Sequence, residues 1–141
     1  MTHLIRYLDL RAYKYQLAEM YSLRTGIKPN APIDTPYFGL STDGLLTISR
    51  GYCWDGPSGP AIDTPSFMRG SLVHDALYQA IRMGLLPIEK RAAADSLLYR
   101  LAVEDGMSRL RAAWVYSAVR AMGWTACGPR ECDRSVLKEA P

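Results

Sequence analysis

The stretch GYCWDGPSGPAIDTPSFMRGSLVHDALYQ, residues 51–79, decides how this chain is read. Its first half is a loop dense in Gly and Pro that carries two aspartates, Asp55 and Asp63. Such a loop bends sharply, because Gly adopts positive φ and Pro fixes its own. Its second half has apolar residues at helical spacing, among them Phe67, Leu72 and Leu77, yet His74 and Asp75 stand inside it. Two adjacent titratable groups in an apolar helix need a chemical reason.

Outward from this stretch, the chain changes character. Residues 12–27 alternate Tyr13, Tyr15, Leu17 and then Tyr21, Leu23 with polar neighbours, which predicts strand, with helix as the alternative that the Leu, Ala, Glu and Met of the same stretch favour. The phase slips at Ala18-Glu19-Met20, which predicts a bend or bulge. Residues 28–36 hold three prolines and an Asn and predict a loop. Residues 37–52 read as a hairpin about Thr42-Asp43-Gly44, since Asp-Gly suits a turn needing positive φ.

After Pro65 the pattern is helical three times over. The first helix has Ser66 as a candidate cap and Gly84 as its stop; the second has Pro87 and Glu89 in its first turn and ends at Gly106. The third has Ser108 as a candidate cap and Gly123 beyond its end. Short connections predict neighbouring helices, the first two antiparallel. The expectation is an α+β fold in one domain, strand-rich over 1–52, helical over 53–123, with an irregular tail over 124–141.

Bulk properties narrow the function classes. At 141 residues one domain is the natural expectation. A net charge of +3, spread without a basic block, argues against nucleic acid as the partner. No apolar run approaches the ~20 residues that span a bilayer, and Asp9 and Arg11 stand where a signal peptide would have its apolar core. Three cysteines, Cys53, Cys127 and Cys132, cannot all pair within one chain and are read as reduced thiols of a cytoplasm.

The chemistry follows from spacing. Asp95 comes 21 positions after His74, and a tight turn at 84–87 brings the two level on antiparallel helices. Asp95 can then accept a hydrogen bond from one imidazole nitrogen and leave the other basic. Asp75 points about 100° away around the helix and can face the loop, where Asp55 and exposed carbonyls supply hard oxygen ligands suited to Ca²⁺.

Four segments together resemble the phospholipase A2 superfamily, above all its bacterial and fungal branch. CWDGPSG (53–59) resembles the calcium loop, and FMRGSLVHDALY (67–78) resembles the helix with the His-Asp-x-x-Tyr signature. KRAAADSLLYRLA (90–102) resembles the next helix with its aspartate, and AAWVYSAVRAMG (112–123) the last helix ending in Gly. The chain also resembles short phage and prophage proteins of unknown function that share the GY-WDGPSGP-DT and FMRGSLVHDALY block, a likeness that spans most of its length.

The phospholipase resemblance implies a three-helix core of that type and a role for each matching residue. His74 would be the base, Asp95 its orienting group, and Tyr78 a hydrogen-bond donor to Asp95. Asp55, Asp75 and the Gly56 carbonyl would hold Ca²⁺, and the Gly56 N–H would steady the oxyanion. Trp54, Phe67 and Leu72 would line an acyl cleft. The implied function is a phage-encoded, Ca²⁺-dependent hydrolase of lipid esters of the bacterial envelope. It would be made in the host cytoplasm and carried in the virion or released at lysis. Two other classes fit the same residues: a virion or tail-associated structural protein that keeps the scaffold, and a hydrolase of another envelope bond such as a peptidoglycan amide. Pro57 and Pro60 depart from the calcium-loop pattern, and the first ~50 residues lie outside the match.

Overall fold

The structure, a computed structural model, describes residues 4–9, 15–55, 64–122 and 137–140. The chain divides into two compact units, Met1–Asp55 with Arg130–Glu139 and Gly56–Pro129 with Ala140–Pro141. The arrangement is α+β: antiparallel strands in two sheets, followed by three helices.

One four-stranded sheet contains β1 (Ile5–Asp9), β2 (Tyr15–Leu17), β7 (Cys53–Trp54) and β8 (Leu137–Ala140), in the order β7-β2-β1-β8. Tyr7 pairs with Leu17, and Tyr15 with Trp54. The rings of Tyr7, Tyr15 and Trp54 pack on one another at centroid distances of 5.1–5.9 Å. The other sheet, in the order β3-β6-β5-β4, contains β3 (Tyr21–Arg24), β4 (Ile33–Asp34), β5 (Phe38–Leu40) and β6 (Leu45–Ile48). Alternate residues Phe38, Leu40, Leu46 and Ile48 are buried from neighbouring strands, as a sheet with one packed face requires.

The predicted bend at Ala18-Glu19 is where the chain leaves the first sheet for the second. The predicted hairpin is β5–β6, with Gly44 at φ 89°. A Cβ at Gly44 would meet the Ile27 carbonyl at 3.2 Å, so both backbone conformation and space demand glycine there. Residues 28–36, read as loop, contain the two-residue strand β4. The tail read as irregular contributes β8 to the first sheet. Both strands are short and take their structure from pairing, which local sequence does not report.

The helical unit holds α1 (Pro65–Arg82), α2 (Arg91–Glu104) and α3 (Arg109–Met122). Pro65 begins α1, where its missing N–H costs nothing. Thr64, not Ser66, is the N-cap residue; Ser66 Oγ lies 3.0 Å from Thr64 Oγ1 instead. The predicted stops at Gly84 and Gly106 share one mechanism. Gly84 N–H donates to Ile81 O and Leu85 N–H to Ala80 O, while Gly106 N–H donates to Val103 O and Met107 N–H to Ala102 O. Both are Schellman ends with glycine at positive φ. A single 3₁₀ turn, Ile88–Lys90, leads into α2, and Ser108 Oγ accepts from Arg111 N–H at the start of α3. No described helix is long and apolar enough to cross a membrane.

α1 and α2 run antiparallel, as the contacts Tyr78–Arg91, His74–Asp95 and Arg69–Asp105 show in sequence. Phe67, Leu98, Ala102, Met107, Ala112 and Val115 form one apolar cluster from all three helices. Twelve of the 18 residues of α1 are buried, including every residue of 67–74.

Candidate functional site

The site is built on α1 and α2. His74 and Tyr78 are four apart on α1 and so lie on one face, with ring centroids 4.0 Å apart. Asp95 projects from α2 between them. His74 Nε2 lies 2.6 Å from Asp95 Oδ1, and the Tyr78 hydroxyl donates to the same oxygen at 2.6 Å. Asp95 is 0% exposed and His74 7%.

A buried carboxylate is costly unless donors compensate it. Burial pushes the Asp95 pKa up, but hydrogen bonds from His74, Tyr78 and Arg120 outweigh it and the net displacement is downward. Asp95 is therefore ionised and can only accept. Nε2 must then carry a proton, and in the singly protonated imidazole the lone pair is on Nδ1. Nδ1 has no hydrogen-bond partner among the described residues. The Tyr78 hydroxyl is held protonated: burial and the bond to Asp95 raise its pKa.

Two cations complete the network, and neither was foreseen. Arg120 Nη1, from α3, donates to Asp95 Oδ2 at 2.8 Å. Arg91 Nε donates to the Tyr78 hydroxyl at 3.0 Å, and its Nη2 donates to the carbonyls of Val119 and Arg120 at 2.7 and 2.8 Å. Those carbonyls belong to the last turn of α3, where backbone acceptors lack helical partners. Arg91 stands four residues before Asp95 on α2, so helical spacing could have placed both on one face. Arg120 has no local signal, lying 25 positions from Asp95.

The structure thus brings together His74, Asp95 and Tyr78. It does not describe Gly56, so the oxyanion group and that part of the calcium set lie outside the described residues. Asp55 is half-buried just after β7, and Asp75 is half-buried on α1 beside His74 but outside the Asp95 network. Among the described residues no group of three or more His, Cys, Asp or Glu side chains is placed to hold a metal ion.

Two expectations are corrected. Trp54, Phe67 and Leu72 do not line a cleft: all three are at most 3% exposed. Trp54 is packed against Tyr7 and Tyr15, and Phe67 belongs to the helical core. Large apolar side chains find core positions before they find a groove. Cys53, read as a reduced thiol, is disulfide-bonded. Its sulfur has no proton, so its 3.3 Å approach to the Gly51 carbonyl is a packing contact. Cys127 and Cys132 lie outside the described residues.

Compared with protein-family models, curated proteins and solved structures, the chain matches none of them. The likeness to phospholipase A2 and to phage proteins therefore rests on the motif residues alone.

Proposed function

We propose that the helical unit is a hydrolase site of the phospholipase A2 type, encoded by a phage and acting on lipid esters of the bacterial envelope. The observation that carries this reading is the 2.6 Å contact between His74 Nε2 and an ionised, buried Asp95. It leaves Nδ1 as the basic atom. In the proposed reaction Nδ1 takes a proton from water as the oxygen attacks the ester carbonyl, and the imidazolium returns it to the departing alkoxide. Asp95 holds the ring and balances its transient charge; Tyr78 holds Asp95.

Asp55, Asp75 and the Gly56 carbonyl are the proposed Ca²⁺ ligands, a set whose hard oxygens suit that ion, and the ion would supply positive charge for the developing oxyanion. The disulfide at Cys53 supports a place of action outside a reducing cytoplasm, in keeping with delivery in a virion or release at lysis.

A second reading makes the chain a structural component of a virion that keeps the scaffold. The burial of Phe67 and Leu72 favours it. Fatty-acid release from mixed phospholipid vesicles separates the two. The hydrolase reading expects release with millimolar Ca²⁺ and its loss in His74→Ala. A protein that is silent on vesicles is structural, unless it releases amines from cell walls, which marks it as a peptidoglycan hydrolase.

A further inference from the structure

We propose that Arg120 is a positioning residue for His74, acting through Asp95, and that the last turn of α3 is thereby part of the site. The catalytic meaning of this rests on the hydrolase reading, but its test does not.

The argument starts from the two oxygens of Asp95. Oδ1 receives two donors, His74 Nε2 and the Tyr78 hydroxyl. Oδ2 receives Arg120 Nη1, the cationic partner of this carboxylate. Tyr78 is a neutral donor, and the geometry places the permanently charged guanidinium of Arg120 2.8 Å from Oδ2, where it offsets the charge of a fully buried carboxylate. It also marks one oxygen from the other, fixing which edge of the carboxylate faces the imidazole.

Arg120 is itself held. Its carbonyl accepts from Arg91 Nη2, while Arg91 Nε donates to the Tyr78 hydroxyl. The bonds close a ring: Asp95 to Tyr78 to Arg91 to the Arg120 backbone, and through the Arg120 side chain back to Asp95. A closed ring of charge-assisted bonds defines geometry more tightly than one pair does.

Without the guanidinium, the buried carboxylate keeps its negative charge with no permanent cation at Oδ2, and the cheapest repair is for Oδ1 to take up a proton, which removes that charge. A protonated Asp95 donates to Nε2 instead of accepting from it. The imidazole then carries its proton on Nδ1, and its lone pair is turned from the reacting side toward the protein. Loss of Arg120 therefore reverses the tautomer of a residue it does not touch.

The chain has two histidines, His3 and His74, so ¹⁵N-histidine labelling with long-range ¹⁵N–¹H correlation resolves the ring, and His74→Ala assigns it. The spectra are taken at a pH where the imidazole is neutral. Wild type should show Nε2 protonated and Nδ1 bare. Folded Arg120→Gln should lose that pattern and show Nδ1 protonated or an exchanging mixture, and Arg120→Lys should restore the wild-type pattern. Arg120→Gln that keeps the wild-type tautomer overturns the proposal. Should that variant fail to fold, the unaltered protein decides: a bond to Asp95 requires a resolved, slowly exchanging Arg120 Nη–H signal, and its absence overturns the proposal. No substrate is involved, so this result and the vesicle assay can fail separately.

Discussion

Gly70 of α1 faces Leu98 of α2 so closely that a Cβ at position 70 would lie 3.0 Å from Leu98 Cδ1 and 3.5 Å from the Leu98 carbonyl. Leu98 is buried in the core and has little room to yield. Gly70→Ala gains about 1 kcal/mol of helix propensity but meets an overpacking cost of ~1–3 kcal/mol. The expected outcome is net destabilisation of about 1 kcal/mol, with Gly70→Val far worse. Urea unfolding followed by circular dichroism measures both. A stabilised Gly70→Ala would mean that the two helices are less closely set than described.

Arg69 is 1% exposed and clamps the end of α2: its Nε and Nη2 donate to the two carboxylate oxygens of Asp105, and Nη2 also reaches Glu104, each at 2.9 Å. Arg69→Met leaves the Asp105 carboxylate buried without its cation and should cost ~3–5 kcal/mol. Arg69→Met combined with Asp105→Leu should recover most of that loss. The double variant's unfolding midpoint is the deciding measurement.

Acid should weaken the helical unit through Asp95. Its folded pKa lies below the ordinary carboxylate value of 3.8. The folded state therefore binds its proton less readily than the unfolded chain does. The resulting stabilisation is complete above the unfolded value and is lost as pH falls through the folded one. Wild type should lose stability below about pH 4, and Asp95→Asn should show a shallower loss in the same window. Equal acid slopes in the two proteins would remove Asp95 from the cause.

Tyr78→Phe removes the hydroxyl that links Arg91 to Asp95. The expected cost is about 1–2 kcal/mol, since a buried acceptor and a guanidinium donor both lose a partner. On the hydrolase reading it should lower turnover less than Asp95→Asn, which removes the orienting charge itself and should cost about 10²–10⁴-fold. Vesicle hydrolysis rates for both variants, normalised to folded protein, give the ranking.

What could be read in advance follows physical lines. The His74–Asp95 contact was legible because two helices and a glycine-ended turn convert a spacing of 21 into a height along a pair of rods. The helix stops were legible because a Schellman end asks for glycine. β4 and β8 were not, since strands of two and four residues gain their bonds from distant partners. Arg120 was not, because an arginine on the last turn of a helix is read as solvated until a buried carboxylate is seen beside it. The acyl cleft was misplaced for a related reason: composition says that Phe67 and Leu72 are apolar, not which interior they enter.

The unbroken burial of residues 67–74 has an evolutionary and practical corollary. A helical segment buried at every position has no permissive side, so a saturation library across it should return an almost solid block of non-viable substitutions. α3 should behave differently: its outward positions Leu110, Ala113, Trp114, Ser117 and Ala121 are exposed and should accept most replacements. Engineers seeking an attachment point or a solubilising change should therefore work on those exposed positions of α3 and leave residues 67–74 of α1 untouched.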